Sequence, residues 1–349
     1  MGAGERGGGR WPVRQRAVRG RTASPVRPGS ARGRGLVRAL PAAVVVTAIV
    51  LPLSAAARPV VPAPPPARLA PATAATLAGT YAAHRANAEE ASRMAAAHGD
   101  DRRAAADRAL AAPGRQLLAF DGRGSGRAVE VLGDLARADR VAVLVPGSDT
   151  SLDTYGRFRA TATALYDRLV HEAPPGTGVA VVAWLGYETP GTVSTAVLTP
   201  DRADEAAPEL RELIRQLPLI TGPGSHVALL CHSYGSVVCA RAASGPAVDD
   251  IVLIGSPGTG AKDVTALRTT ARVWAARGAD DWIADVPHAR AELLGVTVGF
   301  GTDPVSPQFG ARVFAAGDGG HGDYFRPGSV SLANLARIVL GEQAEVSRA

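Results

Sequence analysis

The chain has two cysteines in 349 residues, Cys231 and Cys239, and a single lysine, Lys262. Two cysteines exclude the dense disulfide framework of a small secreted module. One ends a strand pattern and the other sits inside the helix pattern that follows. Their Cβ directions should diverge, which predicts two small buried thiols rather than a bridge. Aromatic residues make up only 5%, so the core has to come from Val, Leu, Ile and Ala. No His, Cys and acidic cluster has metal-ligand spacing, and no Walker loop is present. "GRGSG" (122–126) follows a strand pattern but lacks the spacing of a dinucleotide fingerprint. The sequence therefore predicts neither cofactor nor metal.

Basic charge in the body of the chain is scarce too. The formal charge is +6, but residues 1–38 hold ten arginines against one acid, Glu5. Removing these from 38 basic and 32 acidic residues leaves 28 and 31, a net −3. The basicity belongs to an Arg-, Gly- and Pro-rich tail that reads as disordered, and the remainder has no electrostatic case for nucleic acid. "LPAAVVVTAIVLPLSAAA" (40–57) is apolar throughout, follows Arg38 and ends on small residues. Residues 39–57 are read as an export signal or, second, an uncleaved anchor with its basic flank inside. Pro41 and Pro52 make the run marginal as a span.

Residues 58–72 form a Pro/Ala linker, expected to be extended and poorly packed. Residues 73–115 are Ala-rich and helical in pattern, broken near Gly99. From 116 the texture becomes short apolar β-branched runs alternating with helix patterns. Strands are expected at 116–121 and 127–133 as a hairpin, then at 140–147, 178–186, 226–233, 250–258, 272–278 and 311–317. Helices are expected at 156–172, 202–217, 236–243, 263–271 and 329–340. Wholly apolar strands separated by helices imply a mostly parallel sheet covered on both faces, with ligands at the carboxyl ends of strands. The α/β domain spans 116–341, and 342–349 is a tail.

"LLCHSYGSVV" (229–238) sits at one such strand end. It has the layout of a nucleophile elbow, with Cys231 where the first glycine of G-x-S-x-G belongs. A serine hydroxyl needs a base, and the base needs an orienting acid. His321, in the Gly-rich "AAGDGGHGDYF" after the last strand pattern, is the candidate base. His288, before an apparently helical stretch, is the rival, and His232 should turn into packing. Asp281 in "ARGADDWI" is the candidate acid, Asp303 in "GTDPVSP" its alternative, and Asp280 a neighbour pointing elsewhere. Backbone N–H groups of Tyr234 and Ser148 would line an oxyanion hole, with Gly147 allowing close approach.

"AVLVPG", "VVAWLGYETP", "LLCHSYGSVV", "LIGSPG", "VWAARGADDWI", "FGTDPVSPQFGARVFAA" and "GHGDYF" together resemble an α/β-hydrolase family of GC-rich Gram-positive bacteria once catalogued as a domain of unknown function. The resemblance covers about 116–340, and the helical stretch from Thr73 is similar to the segment that often precedes it. It implies the α/β-hydrolase fold and a Ser–Asp–His site, with Ser233 as nucleophile and His321 as base. Both Asp281 and Asp303 fall in family-like motifs. The expected function is an extracytoplasmic or membrane-tethered serine hydrolase acting on a small or lipid-like acyl ester. The alternatives are a non-catalytic cell-envelope scaffold on the same fold, or acyl transfer to an alcohol at the same site.

Overall fold

The computed structural model describes residues 61–192, 194, 199–245, 248–286, 291–293 and 296–349. The Arg-rich tail, the signal or anchor at 39–57, the first linker residues and His288 lie outside the described residues. Among those described, no helix is long and apolar enough to cross a membrane.

Two antiparallel helices come first, α1 (Leu77–His98) and α2 (Asp101–Ala111). Gly99 turns left-handed to end α1, and the Asp100 carboxylate caps α2 by accepting from the Arg103 N–H. The preceding linker leaves residues 68–71 exposed, as its composition suggests, but is anchored at points. Val61 and Ala72 are buried, and Asn87 Nδ2 donates to the Pro65 carbonyl at 2.8 Å. Arg103, 2% exposed, donates to the carbonyls of Gly122 and Gly124 and pairs with Asp153. One guanidinium thus ties the helical segment to the first hairpin and to the turn before the next helix.

The main sheet runs β1 (Gln116–Asp121), β2 (Arg127–Gly133), β4 (Val179–Leu185), β3 (Arg140–Val145), β5 (His226–His232), β6 (Asp250–Ile254), β7 (Arg272–Ala276), β10 (Arg312–Val313). β1 and β2 form the antiparallel hairpin, β2 also pairs antiparallel with β4, and every later pairing is parallel. β4 is buried along its whole length, which its unbroken "VAVVAWL" requires. α4 (Asp201–Thr221) and α5 (Gly235–Ala242) cover one face; α3 (Tyr155–Glu172) and α6 (Val330–Leu340) cover the other. Each strip of apolar side chains therefore has a partner, and both sheet faces are dry.

Three expectations fail here. The helix expected over 263–271 is one 3-10 turn, Val264–Leu267, because Asp263 caps only that turn and Arg268 leaves it in the left-handed region. Where a helical stretch is expected past His288, Ala291–Leu293 (β8) and Val296–Val298 (β9) pair instead as antiparallel strands. The two cysteines are bridged, with Cα atoms 6.4 Å apart. Their spacing of eight spans the sharp turn between β5 and α5, which folds the helix back over its own strand. Divergent Cβ directions were the wrong inference for a chain that reverses between the two residues.

The end of the chain also packs. Ser347 exchanges hydrogen bonds with buried Asn334 of α6, and Arg348 bridges Phe314.

Candidate active site

β3 lies between two parallel neighbours, and the chain goes on to β4 on one side of it before crossing to β5 on the other. Carboxyl-terminal loops part at such a switch point and open a crevice. Val145 and Cys231 stand level in the ladder, so the loop after β3 and the loop after β5 meet there.

Ser233 follows β5 with φ +54, the left-handed region that an L-residue occupies only under strain, at a cost of order 1–3 kcal/mol. Its N–H is satisfied by the Ile254 carbonyl at 2.9 Å, and its carbonyl accepts from Ser236 as α5 begins. Two glycines make the turn possible. A Cβ on Gly235 would stand 2.6 Å from the Val145 carbonyl oxygen, and one on Gly147 would stand 2.6 Å from the Ser233 Cβ. Either would drive the two loops apart. Cys231, wholly buried, takes the place of the elbow's first glycine and carries the bridge to Cys239.

His321, on the loop after β10, brings Nε2 to 2.9 Å from Ser233 Oγ. Its Nδ1 lies 2.9 Å from Asp281 Oδ1 and 3.1 Å from Oδ2. A carboxylate can only accept, so Nδ1 carries the proton and Nε2 is left to accept from the serine hydroxyl. Asp281, 2% exposed, follows β7. Burial alone would raise its carboxyl, but hydrogen bonds from His321, the Tyr324 phenol and the Ile283 N–H hold it below its ordinary value. The structure brings Asp281, not Asp303, to His321. Asp303 instead pairs with Arg277 at 2.7 Å and accepts from the Val305 N–H in its own turn. Asp280, the chain neighbour of Asp281, is exposed.

Backbone donors remain. Among the described residues, the N–H groups of Tyr234 and Ser148 have no acceptor. Gly147 lies against Ser233, which brings the loop that carries Ser148 beside the serine. A cleft of about 570 Å³ opens beside Ser148 and His321, lined by the aromatic Phe158, Trp282, Tyr324 and Phe325 and by the polar Asp149, Thr150, Arg157 and Thr161. The Trp282 ring centroid is 4.7 Å from that of His321. No group of three His, Cys, Asp or Glu side chains is placed to hold a metal ion among the described residues.

Two residues of the site escaped the sequence reading. Tyr324 carries no motif signal of its own in the histidine loop, yet its Oη donates to Asp281 Oδ2 at 2.6 Å while accepting from the Gly278 N–H. His232 was expected in packing, and it packs, but its Nε2 also lies 2.8 Å from the His321 carbonyl oxygen. An aromatic residue two or three places past a catalytic-type histidine is a signal that could have pointed to the first. No sequence signal announces the second.

Strand order, parallel pairing and helix placement are those of the α/β-hydrolase fold. A family model described as alpha/beta hydrolase matches residues 121–291. Curated relatives are an uncharacterized protein of Mycobacterium tuberculosis, 31% identical over 256 residues, and one of Mycobacterium bovis, 34% identical over 172. The first match covers 64% of this chain and 38% of the relative; the second covers 46% and 64%. The chain thus spans less than two thirds of either relative. Among solved structures, an α/β serine hydrolase without lid from Xanthomonas campestris is 18% identical, with 66% of this chain and 95% of that one covered and a TM-score of 0.41. An esterase is 16% identical over 60% of this chain and 95% of its own, also at a TM-score of 0.41.

Proposed function

We propose that the chain is a serine hydrolase that cleaves an ester or related acyl compound through an acyl-enzyme on Ser233. The observation that carries the reading is the unbroken hydrogen-bond line from Ser233 Oγ through His321 to Asp281. Ser233 attacks the acyl carbonyl as His321 Nε2 takes its proton. The imidazolium formed is stabilised by the Asp281 carboxylate and returns the proton to the leaving oxygen. The N–H groups of Tyr234 and Ser148 donate to the oxyanion of the tetrahedral intermediate. Water, deprotonated by the same base, then breaks the acyl-enzyme. The aromatic walls of the cleft suit an apolar acyl or alcohol portion.

The protein is exported or tethered at the membrane by residues 39–57. The Cys231–Cys239 bridge supports this, since disulfides persist in oxidising compartments and are rare in reducing ones. A fluorophosphonate probe tests the chemistry: stoichiometric labelling of Ser233 is expected, and a folded protein that resists the probe refutes the hydrolase. Fractionation of cells making the full chain tests the address. Recovery in the cytosol with both thiols free would refute export.

A further inference from the structure

His232 precedes the serine and ends β5, and its imidazole lies beneath the loop that carries the base. It is partly buried, with its ring centroid 4.8 Å from that of His321 and 5.7 Å from that of Tyr324. Its Nε2 stands 2.8 Å from the backbone carbonyl oxygen of His321. A carbonyl only accepts, so His232 carries a proton on Nε2 and donates it. The base is therefore held twice: by Asp281 at its own ring and by His232 at its own main chain. His321 is on a Gly-rich loop, where a displacement of the backbone by 1 Å moves Nε2 away from Ser233.

We propose that His232 is a positioning residue for His321, fixing by one side-chain hydrogen bond the main chain from which the base reaches Ser233. This rests on the hydrolase reading. The charged and titratable groups that face it are His321 and Tyr324 from one loop and Asp281 from another. Burial first, and the neighbouring His321 second, push the His232 imidazole down to about 4. It stays neutral where the site works, so no second cation opposes the imidazolium that forms on His321 during the reaction.

Side-chain length makes the test sharp. Glutamine places an N–H donor where His Nε2 lies, asparagine places one where Nδ1 lies, and leucine has none. The rate of fluorophosphonate labelling and steady-state hydrolysis of a short p-nitrophenyl ester would be measured on the full chain. The expectation is that His232→Leu and His232→Asn lower kcat and the labelling rate about 10²-fold with KM little changed, whereas His232→Gln recovers to within about tenfold. A second readout needs no turnover: the low-field NMR resonance of the His321 Nδ1 proton shared with Asp281. It should survive in wild type and His232→Gln and broaden or vanish in the other two. Wild-type rates in His232→Leu with an unchanged resonance would overturn the proposal. So would a folded His232→Gln as slow as His232→Leu. Should His232→Leu fail to fold, the Gln and Asn variants carry the comparison. If the wild type itself does not label, the hydrolase reading falls, and the resonance alone decides whether His232 positions the base.

Discussion

Tyr324 donates its phenolic hydrogen to Asp281 Oδ2 at 2.6 Å, while Asp281 Oδ1 faces His321 at 2.9 Å. One carboxylate thus holds the base with one oxygen and is itself held by the other. Removing only the hydroxyl, in Tyr324→Phe, should lower kcat/KM about tenfold, the scale of one hydrogen bond to a charged group. KM should change little, because the phenol acts through Asp281. Steady-state kinetics at saturating and limiting substrate separate the two; an unchanged kcat would show that Asp281 needs no second anchor.

The two candidate acids make opposite forecasts. Asp281→Asn should cost about 10⁴ in turnover, since the orienting group of such a histidine matters through tautomer and geometry. Asp303→Asn breaks the pair with Arg277 and should lower the thermal midpoint more than the rate. Asp280→Asn, at an exposed position, should do neither. A severe kinetic loss in Asp303→Asn beside an active Asp281→Asn would reverse the assignment.

Replacing the nucleophile separates chemistry from strain. Ser233→Ala and Ser233→Gly should both abolish ester turnover. Because φ at 233 is +54, the glycine variant escapes a left-handed penalty of about 1 kcal/mol that alanine keeps. Calorimetry should therefore rank Ser233→Gly at least as stable as Ser233→Ala. Residual ester hydrolysis near wild type in either would remove Ser233 from the mechanism.

The bridge encloses seven residues between Cys231 and Cys239. Closing so short a loop in the unfolded chain is worth about 2–3 kcal/mol by loop entropy. Paired Cys231→Ala and Cys239→Ala substitutions should lower denaturant stability by that much and slow labelling of Ser233, which lies inside the loop. Equal stability and labelling would mean the elbow holds its shape without the bond.

Acid stability should report on Asp250, the wholly buried first residue of β6, level with Arg272 of β7. Burial would raise its carboxyl, but hydrogen bonds from His226 first, then Arg272 and Trp274 Nε1, bring it from 3.8 down to about 2. A depressed carboxyl stabilises the fold above its unfolded value and loses that contribution as pH falls through its folded value. Wild-type unfolding free energy should therefore drop between about pH 4 and pH 2, and Asp250→Asn should flatten that segment while lowering the plateau above it. An unaltered slope in the variant would place the acid sensitivity elsewhere.

Most of the scaffold could be read from residue pattern because parallel strands buried on both sides leave no polar alternation to misread. "RVAVLVPG" and "VVAWLG" mark their own strands. What escaped the pattern depended on how the chain folds back. The bridge required knowing that α5 lies over β5, and the short turn at 264–267 required knowing that Arg268 leaves the helical region. Choosing between Asp281 and Asp303 rested on register after β7, which fixes which loop reaches His321. The carbonyl that His232 meets belongs to a residue 89 positions away, and no local signal carries that distance.

Gly235 sets main chain against the backbone of Val145 and Pro146, and Gly147 sets it against the Ser233 Cβ, so neither position has room for a side chain. For anyone reshaping this protein, the consequence is a division of labour. Libraries that vary positions 147 and 235 will return mostly misfolded clones, because every other amino acid adds the atom those contacts exclude. Diversity belongs at cleft residues outside the core, such as Arg157 and Trp282, where the substrate preference of new variants can drift without moving the nucleophile.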